Sequence, residues 1–164
     1  MSNVSRHGTV PALVLAIVLC GFGFWLGEAG GRAWAALPIV TGIGGSLIVA
    51  LAVPGRRVKK AVVGVAAFVF YGLAYFAGIS SFGRAFADCI GRAEEVRVLL
   101  REYHQIHAVY PESLTQLQSP IPCARMSRAT ILTYDRTGNG YTLEFGDWLV
   151  QHTASDTNPF IAHK

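Results

Sequence analysis

The sequence predicts a membrane α-helical anchor of three transmembrane helices, followed by a small α+β domain in which a long amphipathic helix packs on an antiparallel sheet of two to three strands. Charged residues make up only 15% of the 164-residue chain, against about 25% in soluble domains, and mean hydropathy is +0.39. The charges are also unevenly placed. From Val10 to Phe82 the acids and bases, tyrosines aside, are Glu28, Arg32, Arg56, Arg57, Lys59 and Lys60. After Arg84 the apolar residues recur first at helical and then at strand spacing.

Residues 10–26, 33–53 and 61–79 carry no charge. Each is near the ~20 residues that a helix needs to cross a ~30 Å hydrocarbon layer. In lipid the backbone must be paired within the segment, so each run is read as a helix. Residues 1–82 then form the anchor and 83–164 an extracytoplasmic domain. Pro38 and the run Gly42–Gly45 interrupt the second span, which neighbouring helices can tolerate by re-satisfying the backbone. Gly23 and Gly27 form a GxxxG pair suited to close helix approach. Trp25 and Trp34 lie near span ends, as interfacial aromatics do.

The link between the second and third spans holds Arg56, Arg57, Lys59 and Lys60. Short cationic loops are retained in the cytoplasm. The expected topology therefore has a cytoplasmic N-terminus carrying Arg6, an outside loop "GEAGGR", and a C-terminal domain delivered to the periplasm of a bacterial inner membrane. Arg6, the first apolar run and the small residues near Ala29 also have the outline of a signal peptide. The run is long for one, and cleavage would leave the tail on the same side. The net charge of +4 is read mainly as a topology signal. "RRVKK" is also able to attract anionic lipid. No clustered basic and aromatic face points to nucleic acid.

Beyond the third span, Ala93, Val96, Leu99, Leu100, Tyr103, Ile106, His107 and Tyr110 recur at steps of three and four, the stripe of an amphipathic helix. Glu94, Glu95, Arg97, Arg101 and Glu102 are expected largely off that stripe. Gly83 or Gly91 is expected to kink the helix, and Pro111 to end it through its restriction of Tyr110. "PESLTQL" should return Leu114 and Leu117 to the stripe. Tyr141, Leu143 and Phe145 alternate with polar residues, as in a half-buried strand. Residues 130–135 should be its hairpin partner across "RTGNG", where Gly138, Asn139 and Gly140 tolerate positive φ. Residues 148–153 are a candidate third strand, and Phe160 in the tail is expected to fold back on the sheet.

The long helix, "Y…H…YPESLTQL" and "Y…GNGYTLEFGD" together resemble the globular domain of type IV pilins and type II secretion pseudopilins, over about residues 89–150. Tyr103, Tyr110, Pro111, Ser113, Leu114, Leu117, Tyr141 and Leu143 occupy matching places. The resemblance implies a long helix backed by a small sheet and a part in envelope or secretion-complex assembly. The three apolar runs differ from the single N-terminal span of that family.

Cys89 and Cys123 both fall in the domain placed in an oxidising compartment, which favours a disulfide; the alternative is two thiols that never meet. Cys20 lies in the first span. His104 and His107 are three apart on one helix, the spacing of metal ligands. With Cys89, His152 or His163 they are candidates, but nothing fixes a third ligand, so no metal and no cofactor is expected. Ser113, Ser127 and Asp88 belong to no catalytic motif, and the adjacent Glu94 and Glu95 point to different sides of a helix. The expected function is non-catalytic: an integral inner-membrane protein whose periplasmic domain mediates contact with an envelope protein or a second copy of itself, besides the lipid bilayer. The alternative is a small-ligand or metal sensor that uses the same domain.

Overall fold

The structure, a computed structural model, describes residues 9–29, 36–117, 119–147 and 149–164. Arg6, Arg32, Trp34, Trp148 and the start of the second expected span lie outside the described residues. The described elements are α1 (Thr9–Gly27), α2 (Ala36–Ala52), α3 (Arg57–His107), a 3-10 turn (Leu114–Gln116), β1 (Thr133–Thr137), β2 (Gly140–Gly146), β3 (Gln151–Ser155) and β4 (Ile161–His163). They form two compact units, residues 1–80 and 81–164, with α3 contributing to both.

In the first unit, Pro11 and Pro38 each fall in the opening turn of a helix. Pro38 lies within α2, which continues past it to Ala52. At the other end Pro54 keeps Val53 out of the helical region, and the chain turns through Gly55 at φ 124°.

The helices of this unit meet at close glycine contacts and at a cluster of Leu19, Val49, Ala67 and Tyr71. A Cβ on Gly27 would overlap the carbonyl oxygen of Tyr75, and one on Gly78 that of Phe24, so the two backbones are in contact. Gly23 and Gly42 both face the ring of Tyr71. Tyr71 is buried; its hydroxyl donates to the carbonyl of Pro38 at 2.8 Å and lies 2.8 Å from Thr41 Oγ1. Ser46, also buried, donates to the Gly42 carbonyl at 2.7 Å. Glu28, which the sequence reading put in an outside loop, is fully buried. Large apolar side chains point the other way: Ile17, Val40, Leu47, Leu73 and Phe76 are all exposed. Two helices, α1 and α3, are long and apolar enough to cross a membrane, while α2 has 17 residues.

In the second unit Ala85, Cys89, Ala93, Val96 and Leu100 of α3 are buried, at steps of four, four, three and four. All but Ala85 belong to one core with Tyr141, Leu143 and Phe145 of β2, Ala154 of β3, and Leu114, Leu117 and Leu132 of the connections. The buried stripe thus extends further toward the start of α3 than expected and stops earlier. Ile106 and His107, assigned to it from spacing, are exposed. The helix runs through Gly83 and Gly91 without a break and ends at His107, ahead of Tyr110. Its end is a left-handed cap: Ala108 takes φ 59° and donates its N–H to His104 O at 2.8 Å, which satisfies a carbonyl the helix leaves open.

The sheet is a four-stranded antiparallel meander in the order β1-β2-β3-β4, larger than the two to three strands expected. The extra strand is the tail, where Ile161 pairs with Thr153 and His163 with Gln151. Three residues are too short to show a period. The β1–β2 hairpin closes through Gly138 and Asn139 with Thr137 opposite Gly140. Positive φ is confined to Gly138, at 57°; Gly at the first central position is what a type II′ turn needs.

Gly78→Ala is expected to destabilise the first unit by roughly 1–3 kcal/mol, the usual cost of forcing extra volume into a packed contact. Gly72, which has nothing within 4 Å of its would-be Cβ, should tolerate Ala or gain about 0.5–1 kcal/mol from higher helix propensity. Thermal unfolding of the two variants in one detergent compares them.

Candidate interaction surface and its ties

Cys89 and Cys123 are joined by a disulfide, with their Cα atoms 4.8 Å apart. Both are fully buried in the core of the second unit. The bond draws the connection between Leu117 and β1 onto α3, and neighbouring polar contacts fix the same turn. The Cys123 N–H donates to Asp88 Oδ2 at 2.7 Å, and the Cys123 carbonyl accepts from Ile131 N–H at 3.0 Å. Cys123 itself takes φ 70°, a conformation uncommon for a residue with a Cβ. Further along, the Met126 N–H donates to Ser81 Oγ at 3.1 Å. Asp88, considered at first for its chemistry, thus serves the loop.

Arg97 was expected off the buried face, yet it is only 8% exposed. Its Nε and Nη2 donate to the carbonyl of Ser155 at 3.2 and 3.1 Å, and its Nη1 meets Glu94 Oε2 at 2.8 Å. The long aliphatic stem lets a guanidinium reach the end of β3 from within the packed region. Glu94 also accepts the Phe160 N–H at 3.1 Å, and the Phe160 ring lies edge-on to Phe145 at 5.3 Å. The tail is therefore held by its ring, by β4 and by a carboxylate. Burial pushes the Glu94 carboxyl upward, but the hydrogen bonds from Arg97 and from Phe160 outweigh this and hold it below the ordinary glutamate value. Burial raises the Tyr141 phenol against the opposing pull of Arg97. Glu94 is therefore engaged on both oxygens, where the sequence suggested a solvated side chain.

The two histidines do not share a site. His107 is exposed, stacks on Tyr103 at 4.1 Å and has Nδ1 3.0 Å from the Tyr103 carbonyl. His104 is half-buried and stacks on Tyr110 at 4.4 Å. The expected order of burial is thus reversed, because the stripe ends before His107. Among the described residues no three His, Cys, Asp or Glu side chains gather as a metal set would require. His152 lies flat on Phe145 at 4.6 Å, beside an 80 Å³ cavity next to the disulfide.

Three apolar side chains at and just beyond the last turns of α3 reach solvent, separated by the exposed Arg101, Glu102 and Gln105. Val98, Ile106 and Val109 are exposed, Ile106 by 78%. Val98 sits two residues from each of the buried Val96 and Leu100, so it points away from the core. In the first unit Arg56, Arg57 and Lys59 are exposed and Lys60 half-buried, around the start of α3. No family model, curated protein or solved structure matches the chain.

Replacing both Cys89 and Cys123 by Ala should cost the second unit roughly 4 kcal/mol, the loop-entropy value for a bond closing a 34-residue separation. Pulse proteolysis of the full chain measures it, and iodoacetamide on denatured, unreduced wild type should mark Cys20 alone.

Because the Glu94 pKa is depressed in the folded state, its contribution is complete above the ordinary value of 4.5 and is lost as pH falls through the lower folded value. Hydrogen exchange of residues 158–163, corrected for the intrinsic effect of pH, should show the tail loosening on acidification in the wild type. In Glu94→Gln the tail should be looser at neutral pH and insensitive to that titration.

Proposed function

We propose that the chain is a non-catalytic, multi-pass protein of a bacterial inner membrane, with three spans and a periplasmic α+β unit that binds an envelope protein. The observation that carries the membrane part is the distribution of side chains in the first unit. Glycines, Ser46 and Tyr71 face inward, while Ile17, Val40, Leu47, Leu73 and Phe76 face outward. A bundle in water gains stability by the opposite arrangement. In lipid, association relies on close packing of small residues and on buried hydrogen bonds. At 1.5 Å per residue the 17 described residues of α2 cover about 25 Å of a ~30 Å hydrocarbon layer.

The four cations at 56, 57, 59 and 60 support a cytoplasmic position for the start of α3, and so a periplasmic second unit. The disulfide suits that compartment. A long helix backed by an antiparallel meander, with Tyr110 and Pro111 at the turn, supports a pilin-like shape. Val98, Ile106 and Val109 are the exposed apolar side chains assigned to the partner contact.

Alkaline phosphatase fused after Lys164 should be active in cells, and a fusion within residues 54–60 inactive. A photo-crosslinking residue at Ile106 should capture one discrete protein in intact membranes, and one at Thr157 should not. Val98→Glu should reduce that capture by roughly tenfold, as loss of a moderate hot spot does. An inactive C-terminal fusion, or equal capture at both positions, would reject the reading.

A further inference from the structure

The first unit contains an apolar cleft of about 670 Å³, within the ~300–1,000 Å³ range of small-molecule sites. α1 contributes Leu13 and Ile17, α2 contributes Val49, Val53 follows it, and α3 contributes Val63 and Phe70. Among the described residues Lys59 is the one charged group lining it. Along α1 the lining runs from Val10 to Cys20. Ten residue steps rise about 15 Å, half of a ~30 Å hydrocarbon layer. Lys59, at its charged end, follows the exposed cations Arg56 and Arg57 within three residues of chain, and the first turn of α3 holds no acid.

We propose that this cleft binds one acyl chain of an anionic phospholipid, with the headgroup phosphate held by Lys59 and the neighbouring loop cations. The proposal rests on the reading that these helices span a bilayer. An acyl chain asks nothing of its surroundings but apolar contact, and the cleft lining offers little else. A cation at one end, one leaflet away from the other, matches a phosphate joined to a tail. A partner helix is a poorer fit. It would cross both leaflets, whereas the cleft ends midway, and bulky Leu13, Ile17 and Phe70 line it where helix partners prefer small residues. Retention of a basic loop in the cytoplasm requires only that cations be present. It does not require one of them to line an apolar cleft.

The test uses the full chain in a nonionic detergent, with native mass spectrometry during titration by phosphatidylglycerol or by phosphatidylcholine of the same acyl length. One phosphatidylglycerol should be retained about tenfold more tightly than phosphatidylcholine, the scale expected of one or two cations near a headgroup. Lys59→Gln should remove most of that preference. Ala66→Phe adds bulk at an exposed lining position without touching the cations, and should abolish retention of the single lipid. Equal affinity for the two lipids, or undiminished retention in Ala66→Phe, would overturn the proposal. Alkaline carbonate extraction of native membranes separates the two ideas. A chain that stays in the pellet yet shows no lipid preference loses the lipid site alone, whereas release into the supernatant defeats the spanning reading and the site with it.

Discussion

Both units depend on α3 obeying two packing rules along one continuous helix. Through Ser80 it approaches its neighbours by having little side chain at the contact. Gly78 lies against the backbone of α1, and Tyr71 reaches the opening turn of α2 through paired hydrogen bonds. From Ser81 onward it buries a stripe of Ala, Cys, Val and Leu against a sheet. Exchanging the rules would fail in both places. A Leu at Gly78 has no room, and a Gly at Leu100 would leave a void where dispersion contacts are lost. The sequence of this helix therefore changes character along its length while its backbone does not.

The second unit is small, and its core alone has much conformational entropy to offset. It compensates by attaching each irregular segment to the same ten-residue stretch of α3. Asp88 and Cys89 hold the loop at Cys123, Arg97 holds the end of β3 at Ser155, and Glu94 holds the tail at Phe160. Each tie is of a different kind: covalent, cation to carbonyl, carboxylate to amide. The polar contacts of Asp88, Arg97 and Glu94 also each satisfy a backbone group: the Cys123 N–H, the Ser155 carbonyl and the Phe160 N–H. A buried arginine and an engaged glutamate are thus part of how a strand end and a tail are kept in register with a helix.

What could be read from sequence was what periodicity and length determine. The described parts of the apolar runs at 10–26, 33–53 and 61–79 fall in helices. The first helix extends one residue beyond its run at each end, the second ends one residue short of its run, and the third is fused to the next element. Tyr141, Leu143 and Phe145 do form the inward face of a strand. Long-range pairing hid the rest. Nothing local in Ile161–His163 announces a strand, since its partner Gln151–Ser155 supplies the order. Ile106 and His107 continue the helical spacing perfectly, but the sheet does not extend far enough to cover them. Arg97 falls beside the stripe by angle, yet a carbonyl waits there at Ser155. The helix end is another instance: the proline rule points to Tyr110, but a left-handed Ala108 ends α3 first. Gly27 and Gly78 were visible as small residues, and only a structure pairs them.

The reversal of side-chain placement between the units is itself a physical statement about their surroundings. Turning a Leu, Ile or Phe from a core to water costs about 1.5–3 kcal/mol. Ile17, Val40, Leu47, Leu73 and Phe76 alone forgo roughly 8–15 kcal/mol of burial in water, as much as the whole of the roughly 5–15 kcal/mol by which ordinary domains are stable. The interior is narrower in comparison: besides glycine, alanine, Ser46 and Tyr71 it buries Leu19, Leu26, Val49 and Val53. The second unit shows the ordinary order, with Val96, Leu100 and Leu143 fully buried and charged Arg92 and Glu95 outside. A single chain that follows one rule up to Ser80 and the other from Ser81 is consistent with a change of solvent near that point. The same change makes a basic loop, a lipid-sized cleft and a disulfide-tied unit compatible parts of one molecule.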